Sequence, residues 1–266
     1  MFDWSIYLYG LAAMSAFGFL GWLASLARDN VTIVDSMWGL FFLLGTGVYA
    51  YAQPGTRSNI MLALVALWAL RLSIFLARRN RLFAPVPHED RRYAAIRANN
   101  APHFRLKSLY LIFGLQSALA WIISLPLLAA AISSAPWRWL DYAGVLLWTF
   151  GFAWESIADR QLVCFKAQPQ NSGQVLTSGL WRYSRHPNYF GECCLWWGYY
   201  LLACAAGGWW SLPAPVLMTW LLLKLSGVPL LEKDIVERRP AYAAYRRGTN
   251  ALLPGRPRNA PFAWAP

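Results

Sequence analysis

Apolar residues run along this chain in long stretches, and the polar segments between them are short on one side of the count and long on the other. Seven stretches reach the roughly 20 residues that a helix needs to cross a hydrocarbon core about 30 Å thick. They are Trp4 to Ala27, Val31 to Ala52, Ser58 to Ala77, Ser108 to Ile132, Trp139 to Val163, Tyr189 to Ala206 and Pro213 to Leu231. Gly191, Gly198, Gly207 and Gly208 punctuate the sixth. The pattern predicts an all-α polytopic membrane protein, a single bundle of seven transmembrane helices spanning 1–266, with no repeat and no further domain.

Composition points the same way. Hydrophobic residues make up 58% and charged residues 14% of the 266, against about 45–50% and 25% for soluble domains. Sixteen Trp would be hard to hide in a soluble globule and suit a bilayer, whose interfaces collect Trp and Tyr. The first stretch has no basic residue before it and outruns the ~7–15 residue core of a secretory signal, so it reads as a retained span. Cysteines at 164, 193, 194 and 204 form no CxxC pair and have no His at zinc spacing, which predicts neither a disulfide framework nor a metal site.

Lys and Arg number 24 against 12 Asp and Glu, a formal charge of +12. Position decides what that charge means. Arg78, Arg79, Arg81, Arg91, Arg92, Arg97, Arg105 and Lys107 crowd the segment after the third stretch, while Arg57 and Arg138 stand alone in the opposite turns. The positive-inside rule puts the crowded segment in the cytoplasm. Seven spans then place the N-terminus outside and the C-terminus in the cytoplasm, as expected for a bacterial inner membrane. The Pro-rich end from Pro254 to Pro266 is expected to hang loose. Basic residues scattered over loops beside spans argue against nucleic acid, and membrane lipids are the expected surroundings of a monomer.

Six charged residues fall within or at the edge of apolar stretches: Asp35, Arg71, Glu155, Asp159, Glu192 and Lys224. A charge at the bilayer centre costs about 2.5–3.5 kcal/mol on insertion scales, against about 0.3–0.6 gained per Leu. Lys224 has a stem long enough to reach the interface, whereas Asp35 is too short and is expected to face a cavity. Arg71 reads equally as a cavity-lining group or a structural partner. Glu155 and Asp159, four apart, share one helical face and need a basic or hydrogen-bonding partner between them.

The densest chemistry lies in Ser178-Gly179-Leu180-Trp181-Arg182-Tyr183-Ser184-Arg185-His186-Pro187-Asn188-Tyr189-Phe190-Gly191-Glu192. Arg185 could fork onto a phosphate, His186 and Asn188 could donate hydrogen bonds, Tyr189 could stack on a ring, and Glu192 could accept from an amide or a ribose hydroxyl. The same residues also suit a capped re-entry turn broken by Pro187, with Arg182 and Arg185 on lipid head groups. Residue chemistry alone leaves both open.

This stretch resembles the signature of membrane sterol reductases, steroid 5α-reductases and isoprenylcysteine-type methyltransferases, through Arg185-His186-Pro187-Asn188-Tyr189 and Gly191-Glu192. Val31-Thr32-Ile33-Val34-Asp35-Ser36-Met37-Trp38 with Phe41-Phe42, and Glu89-Asp90-Arg91-Arg92-Tyr93, are similar to bacterial proteins grouped beside the steroid 5α-reductases. The resemblance implies a seven-span fold enclosing NADPH from the cytoplasmic side, with spans 4–77 on the substrate side and 78–266 mainly on the cofactor side. The implied reaction is reduction of the C4–C5 double bond of a 3-oxo-4-ene steroid or related lipidic enone. No GxGxxG is present, so helix faces and loops must hold the dinucleotide.

Carried over by position, the resemblance puts Asn188 and Glu192 near the nicotinamide and its ribose, and Asp159 and Lys166 near the adenosine ribose and its phosphates. Glu155 stands where the family has Asn, and Arg71 matches a family Arg that reaches the cofactor. Glu232-Lys233-Asp234, Tyr242, Tyr245 and Pro254 resemble the family's tail pattern. Asp35 falls on the acid that polarises the substrate carbonyl, as a hydrogen-bond donor from a dry site, and Trp68 stands at the position of its Tyr helper. The rival reading is a membrane methyltransferase using S-adenosylmethionine, which has no use for Lys166, Arg91 or Arg92. A transporter is the reading from a different class, and the odd number of spans lacks the paired halves that transporters show.

Overall fold

The computed structural model describes residues 2–80, 82, 89–225, 227–232 and 234–258, and every element among them is helical. Arg81, Lys233 and the Pro-rich end from residue 259, all named above, lie outside the described residues. Five helical stretches are long and apolar enough to cross a membrane: Trp4–Arg28, Ile33–Ala52, Thr56–Arg79, Phe104–Ile123 and Trp209–Arg238. The chain is an integral membrane protein. Two further long helices, Trp139–Ala167 and Pro187–Ala205, fall short of that apolar standard. The first carries Asp141, Glu155 and Asp159, and the second is rich in Trp and Tyr.

The fold divides into two compact units, residues 1–136 with 203–214 and residues 137–202 with 215–266. In the first unit α1 (Trp4–Arg28), α2 (Ile33–Ala52) and α3 (Thr56–Arg79) are followed by the short α4 (Arg91–Asn99), then α5 (Phe104–Ile123) and α6 (Leu125–Ala131). Helix α1 starts where Asp3 Oδ1 accepts from the Ile6 N–H at 3.0 Å, an N-cap that satisfies one orphan donor. It buries Tyr7, Gly10, Met14, Gly18, Gly21 and Ser25, a three-and-four spacing that draws one face along the helix. Leu8, Phe19, Leu20 and Leu23 point outward, as a lipid-facing surface requires.

The fourth apolar stretch begins and ends differently from its sequence pattern. It starts at Phe104, passes through a wider π-type turn over Leu109–Gly114, and breaks at Ser124 before the short α6. Polar groups here are bonded in place: Tyr7 Oη donates to the Trp121 carbonyl at 3.0 Å, Trp121 Nε1 donates to the Tyr7 carbonyl at 2.9 Å, and the two rings stack at 4.2 Å. Buried Arg57 reaches the Ala135 and Pro136 carbonyls at 3.2 Å. Without water in a bilayer core, such internal partners are obligatory.

The second unit holds α7 (Trp139–Ala167), α8 (Pro187–Ala205) and α9 (Pro213–Trp220). After α9 come α10 (Val228–Glu232), α11 (Ile235–Arg238) and α12 (Tyr242–Gly248). The glycines read above as punctuation do not interrupt α8, which runs through Gly191 and Gly198 and ends just before Gly207, where φ is +83°. The Pro-rich end does not hang loose as far as it is described. Gly255 N–H donates to the Tyr183 carbonyl at 3.0 Å and Arg258 N–H to the Gly248 carbonyl at 2.9 Å.

Helices α2 and α3 touch closely at Gly39, where an added Cβ would lie 2.9 Å from Ala69 Cα, whereas Gly47 faces open space. Gly39→Val should cost about 1–3 kcal/mol through overpacking. Gly47→Ala should be neutral or stabilising by about 0.5–1 kcal/mol through helix propensity. Thermal unfolding of the two variants in detergent checks both signs.

Candidate functional site

In the second unit, α7 and α8 meet backbone to backbone. An added Cβ at Gly151 would lie 2.6 Å from the Gly191 carbonyl, one at Gly191 would lie 2.6 Å from Glu155 N, and one at Gly144 would lie 3.0 Å from the Gly198 carbonyl. Two pairs of glycines, each pair seven residues apart, therefore form a seam of the small-residue kind that packs membrane helices. The seam sets the polar residues beside it. Glu155 and Asp159 on α7 are both 3% exposed, and Glu192 on α8 is 6% exposed. Asn188 Nδ2 donates to Asp159 Oδ1 at 3.3 Å, and Glu192 Oε1 accepts from Trp196 Nε1 at 3.0 Å. The other amide atom of Asn188, Oδ1, is buried and has no hydrogen-bond partner among the described residues. Carboxylates and an amide from the predicted cofactor set thus converge here, while Lys166 lies exposed in the last turn of α7.

The segment that precedes α8 is folded against α7. Gly179 adopts φ +59°, in the left-handed region, and its α-carbon faces the Gln161 side chain so closely that a Cβ would lie 2.4 Å away. Leu180 N–H donates to Gln161 Oε1 at 3.0 Å, and Trp181 Nε1 donates to the Ala158 carbonyl at 3.1 Å.

Arg185 and His186 differ from the phosphate-binding expectation. Arg185 donates from Nε to Glu232 Oε1 at 2.8 Å and from one terminal nitrogen to Glu232 Oε2 at 3.2 Å. Its other terminal nitrogen reaches the Arg246 and Thr249 carbonyls at 3.1 and 2.6 Å. The fork is occupied by the chain itself. His186 Nε2 lies 2.9 Å from Glu232 Oε1, and its ring stacks on Tyr189 at 5.5 Å. Tyr242 Oη donates to Glu232 Oε1 at 2.8 Å, while Tyr245 Oη donates to the Trp181 and Ser184 carbonyls. Burial raises both phenol pKa values, and for Tyr242 the Glu232 charge adds to the rise. This knot ties α12 and the following strand of chain onto the signature. Arg160 and Lys166 on α7 and Arg182 in the segment before α8 are exposed.

In the first unit, Asp35 lies in the first turn of α2, where a carboxylate suits the helix dipole. Its Oδ1 accepts from Tyr93 Oη at 2.6 Å, and its Oδ2 accepts from an Arg92 terminal nitrogen at 2.8 Å and from Asn80 Nδ2 at 3.2 Å. Arg79 stands 3.6 Å from the same oxygen. Both carboxylate oxygens accept, so Asp35 is an ion-pair centre here rather than the hydrogen-bond donor expected from its place in the sequence. Burial opposes the Arg92 charge, but Asp35 and Asp90 outweigh it and raise its pKa. Tyr93 is raised well above the phenol range by burial and then by Asp35. Burial pushes Asp90 up, yet the hydrogen bonds and charge of Arg92 win and hold it below the usual carboxylate range.

Trp68 is fully buried, 5.7 Å ring to ring from Phe42, and Arg71 is half-buried three residues further along α3. Lys224 is exposed, as its long stem allows. Sequence reasoning placed Arg92 with a phosphate-bearing ligand and gave Tyr93, Asn80 and Glu232's bonding role no part. The patch Glu89-Asp90-Arg91-Arg92-Tyr93 was the available signal.

The chain belongs to the family described as "Protein of unknown function (DUF1295)", whose family model matches residues 21–249. No curated protein and no solved structure matches it.

Arg185→Ala would leave Glu232, 11% exposed in its side chain, without its main cation. Breaking such a pair costs roughly 3–5 kcal/mol. Limited proteolysis should cut Arg185→Ala between 242 and 258 well before wild type.

Proposed function

We propose that this family member reduces the C4–C5 double bond of a 3-oxo-4-ene steroid, or a related lipidic enone, using NADPH, within a bundle of seven spans that includes α7 and α8. The observation that carries the reading is the convergence of Asn188, Asp159, Glu155 and Glu192 along the glycine seam. The resemblance assigns Asn188 and Glu192 to the nicotinamide and its ribose and Asp159 to the adenosine ribose, while Glu155 stands where the family has Asn. A buried amide oxygen with no hydrogen-bond partner among the described residues suits a carboxamide donor, because an unsatisfied buried acceptor costs about 1–3 kcal/mol until something donates to it. Carboxylate oxygens are acceptors of the kind that sugar hydroxyls bond. For the phosphates, the exposed Lys166, Arg160 and Arg182 replace Arg185 in this reading.

When bound, the reduced nicotinamide supplies the hydride, and the chain supplies orientation and exclusion of water. Negative charge then moves onto the ketone oxygen, which needs a donor. The resemblance assigns that role to Asp35, whose carboxylate accepts from Arg92 and Tyr93 within the first unit. Trp68, fully buried in helix packing, shapes the apolar wall in this reading rather than donating.

A second reading has its own observation. Three buried carboxylates beside one amide also suit the sulfonium and ammonium groups of S-adenosylmethionine, and a methyltransferase of the isoprenylcysteine or phospholipid type would use the same signature. Thermal stabilisation by each cofactor separates the two: a shift with S-adenosylmethionine and none with NADPH would end the reductase reading.

Purified protein given NADPH and a panel of 4-ene-3-oxo steroids should yield 5α-dihydro products. Asp159→Asn and Asn188→Leu should each weaken NADPH binding by on the order of tenfold, the worth of a buried hydrogen bond to a charged or amide group, measured by calorimetric titration. Asp35→Ala should keep NADPH affinity and lose turnover.

A further inference from the structure

Helix α4 is nine residues long, and Tyr93 is its only buried residue. Ala94, Ala95 and Ala98 are exposed. A helix this short is marginal by itself, and among the described residues its apolar burial is small, limited to Tyr93 and half-buried Ile96. What holds it is charge. Tyr93 and Arg92 bond Asp35 at 2.6 and 2.8 Å. Arg97 bonds Glu89 through two nitrogens at 2.9 and 2.8 Å, and reaches the Asp29 carbonyl and carboxylate at 3.0 and 3.3 Å.

The attachment also supplies what α2 lacks at its start. Thr32, the N-cap of α2, makes no side-chain cap bond; its Oγ1 instead accepts from Asp90 N–H at 3.0 Å. The preceding Val31 N–H donates to Glu89 Oε1 at 3.3 Å. The start of α2 and the start of α4 are therefore hydrogen-bonded to one another, while Asp90 caps α4 itself by accepting from Arg92 N–H. Of the pairs involved, Asp35 is 10% exposed and Glu89 17%, while Arg92 and Arg97 are 33% and 29% exposed. Salt reaches partly exposed pairs of this kind and screens them.

We infer that residues 89–99 form a strap latched by Asp35 and Glu89 over the start of α2, which releases as a unit when its ion pairs are screened or removed while the long helices stay folded. An open strap uncovers Asp35, Asn80 and Arg79 to an incoming ligand. That last consequence rests on the reading of Asp35 under the proposed function; the release itself does not.

Hydrogen–deuterium exchange of the full chain in nanodiscs tests the strap, read by mass spectrometry at about 0.05 M and about 1 M sodium chloride. Backbone amides of 91–99 should exchange on the order of tenfold faster at high salt, with α1, α2 and α3 unchanged, since screening at 1 M shortens the Debye length to about 3 Å. Asp35→Asn and Arg92→Gln at low salt should reproduce the fast exchange of 91–99. Arg91→Gln, an exposed neighbour, should not. Equal exchange of 91–99 at both salt concentrations overturns the inference. So does loss of protection through α2 and α3 together in Asp35→Asn, which would make the cluster a keystone of the fold rather than a latch. Turnover plays no part in this readout, so failure to reduce any enone leaves the strap standing or falling on its own.

Discussion

Two helices of the second unit can touch along their backbones only because glycine stands at 144, 151, 191 and 198. The buried acids beside the seam depend on this approach. Larger side chains would separate α7 and α8 and open the space beside Glu155 to lipid or water. With the seam closed, Glu155, Asp159 and Glu192 are buried, and Asn188 and Trp196 are among the groups that bond them. Close packing of small residues thus fixes where these costly buried charges lie.

The two units deal with their remaining charges by separate means. In one, Glu232 gathers Arg185, His186 and Tyr242 into a knot whose members come from α10, the loop before α8, and α12. In the other, Asp35 gathers Arg92, Tyr93 and Asn80 from α4 and the end of α3. Buried ion pairs seldom add much net stability, since desolvation opposes attraction. Their effect is to define one arrangement of segments that hydrophobicity alone would leave unspecified. The difference between the knots is exposure of the cations: Arg185 is 11% exposed, whereas Arg92 and Arg79 beside Asp35 are 33% and 42% exposed.

The spans were legible because the bilayer imposes a length and a polarity that a single sequence displays directly. Helices α1, α2 and α3 begin and end within a few residues of their apolar stretches. The glycines of α8 were misread as breaks, since a lone sequence does not tell a glycine that ends a helix from one that lets another helix approach. Gly207 does the first, with its positive φ, and Gly191 the second. Asn188, Asp159 and Glu192 announced themselves as polar residues in apolar surroundings. Arg185 announced itself too, but its use was hidden, because its partners Glu232, Arg246 and Thr249 lie 47 to 64 residues further on. Tyr93 was hidden for the opposite reason: its segment looks like a solvated loop, and nothing local reveals that its hydroxyl is buried against a span.

The distance along the chain between the signature and its partners also bears on how the protein is made. Ser184 and Arg185 bond carbonyls 61 to 68 residues downstream. A ribosome adding roughly 5–20 residues each second needs several seconds to deliver them. Throughout that interval the nascent chain carries an arginine, a histidine and a serine that have no native mates, beside helices already entering the bilayer. Biogenesis of this unit is therefore expected to be most open to membrane chaperones, or to quality-control proteases, during that wait.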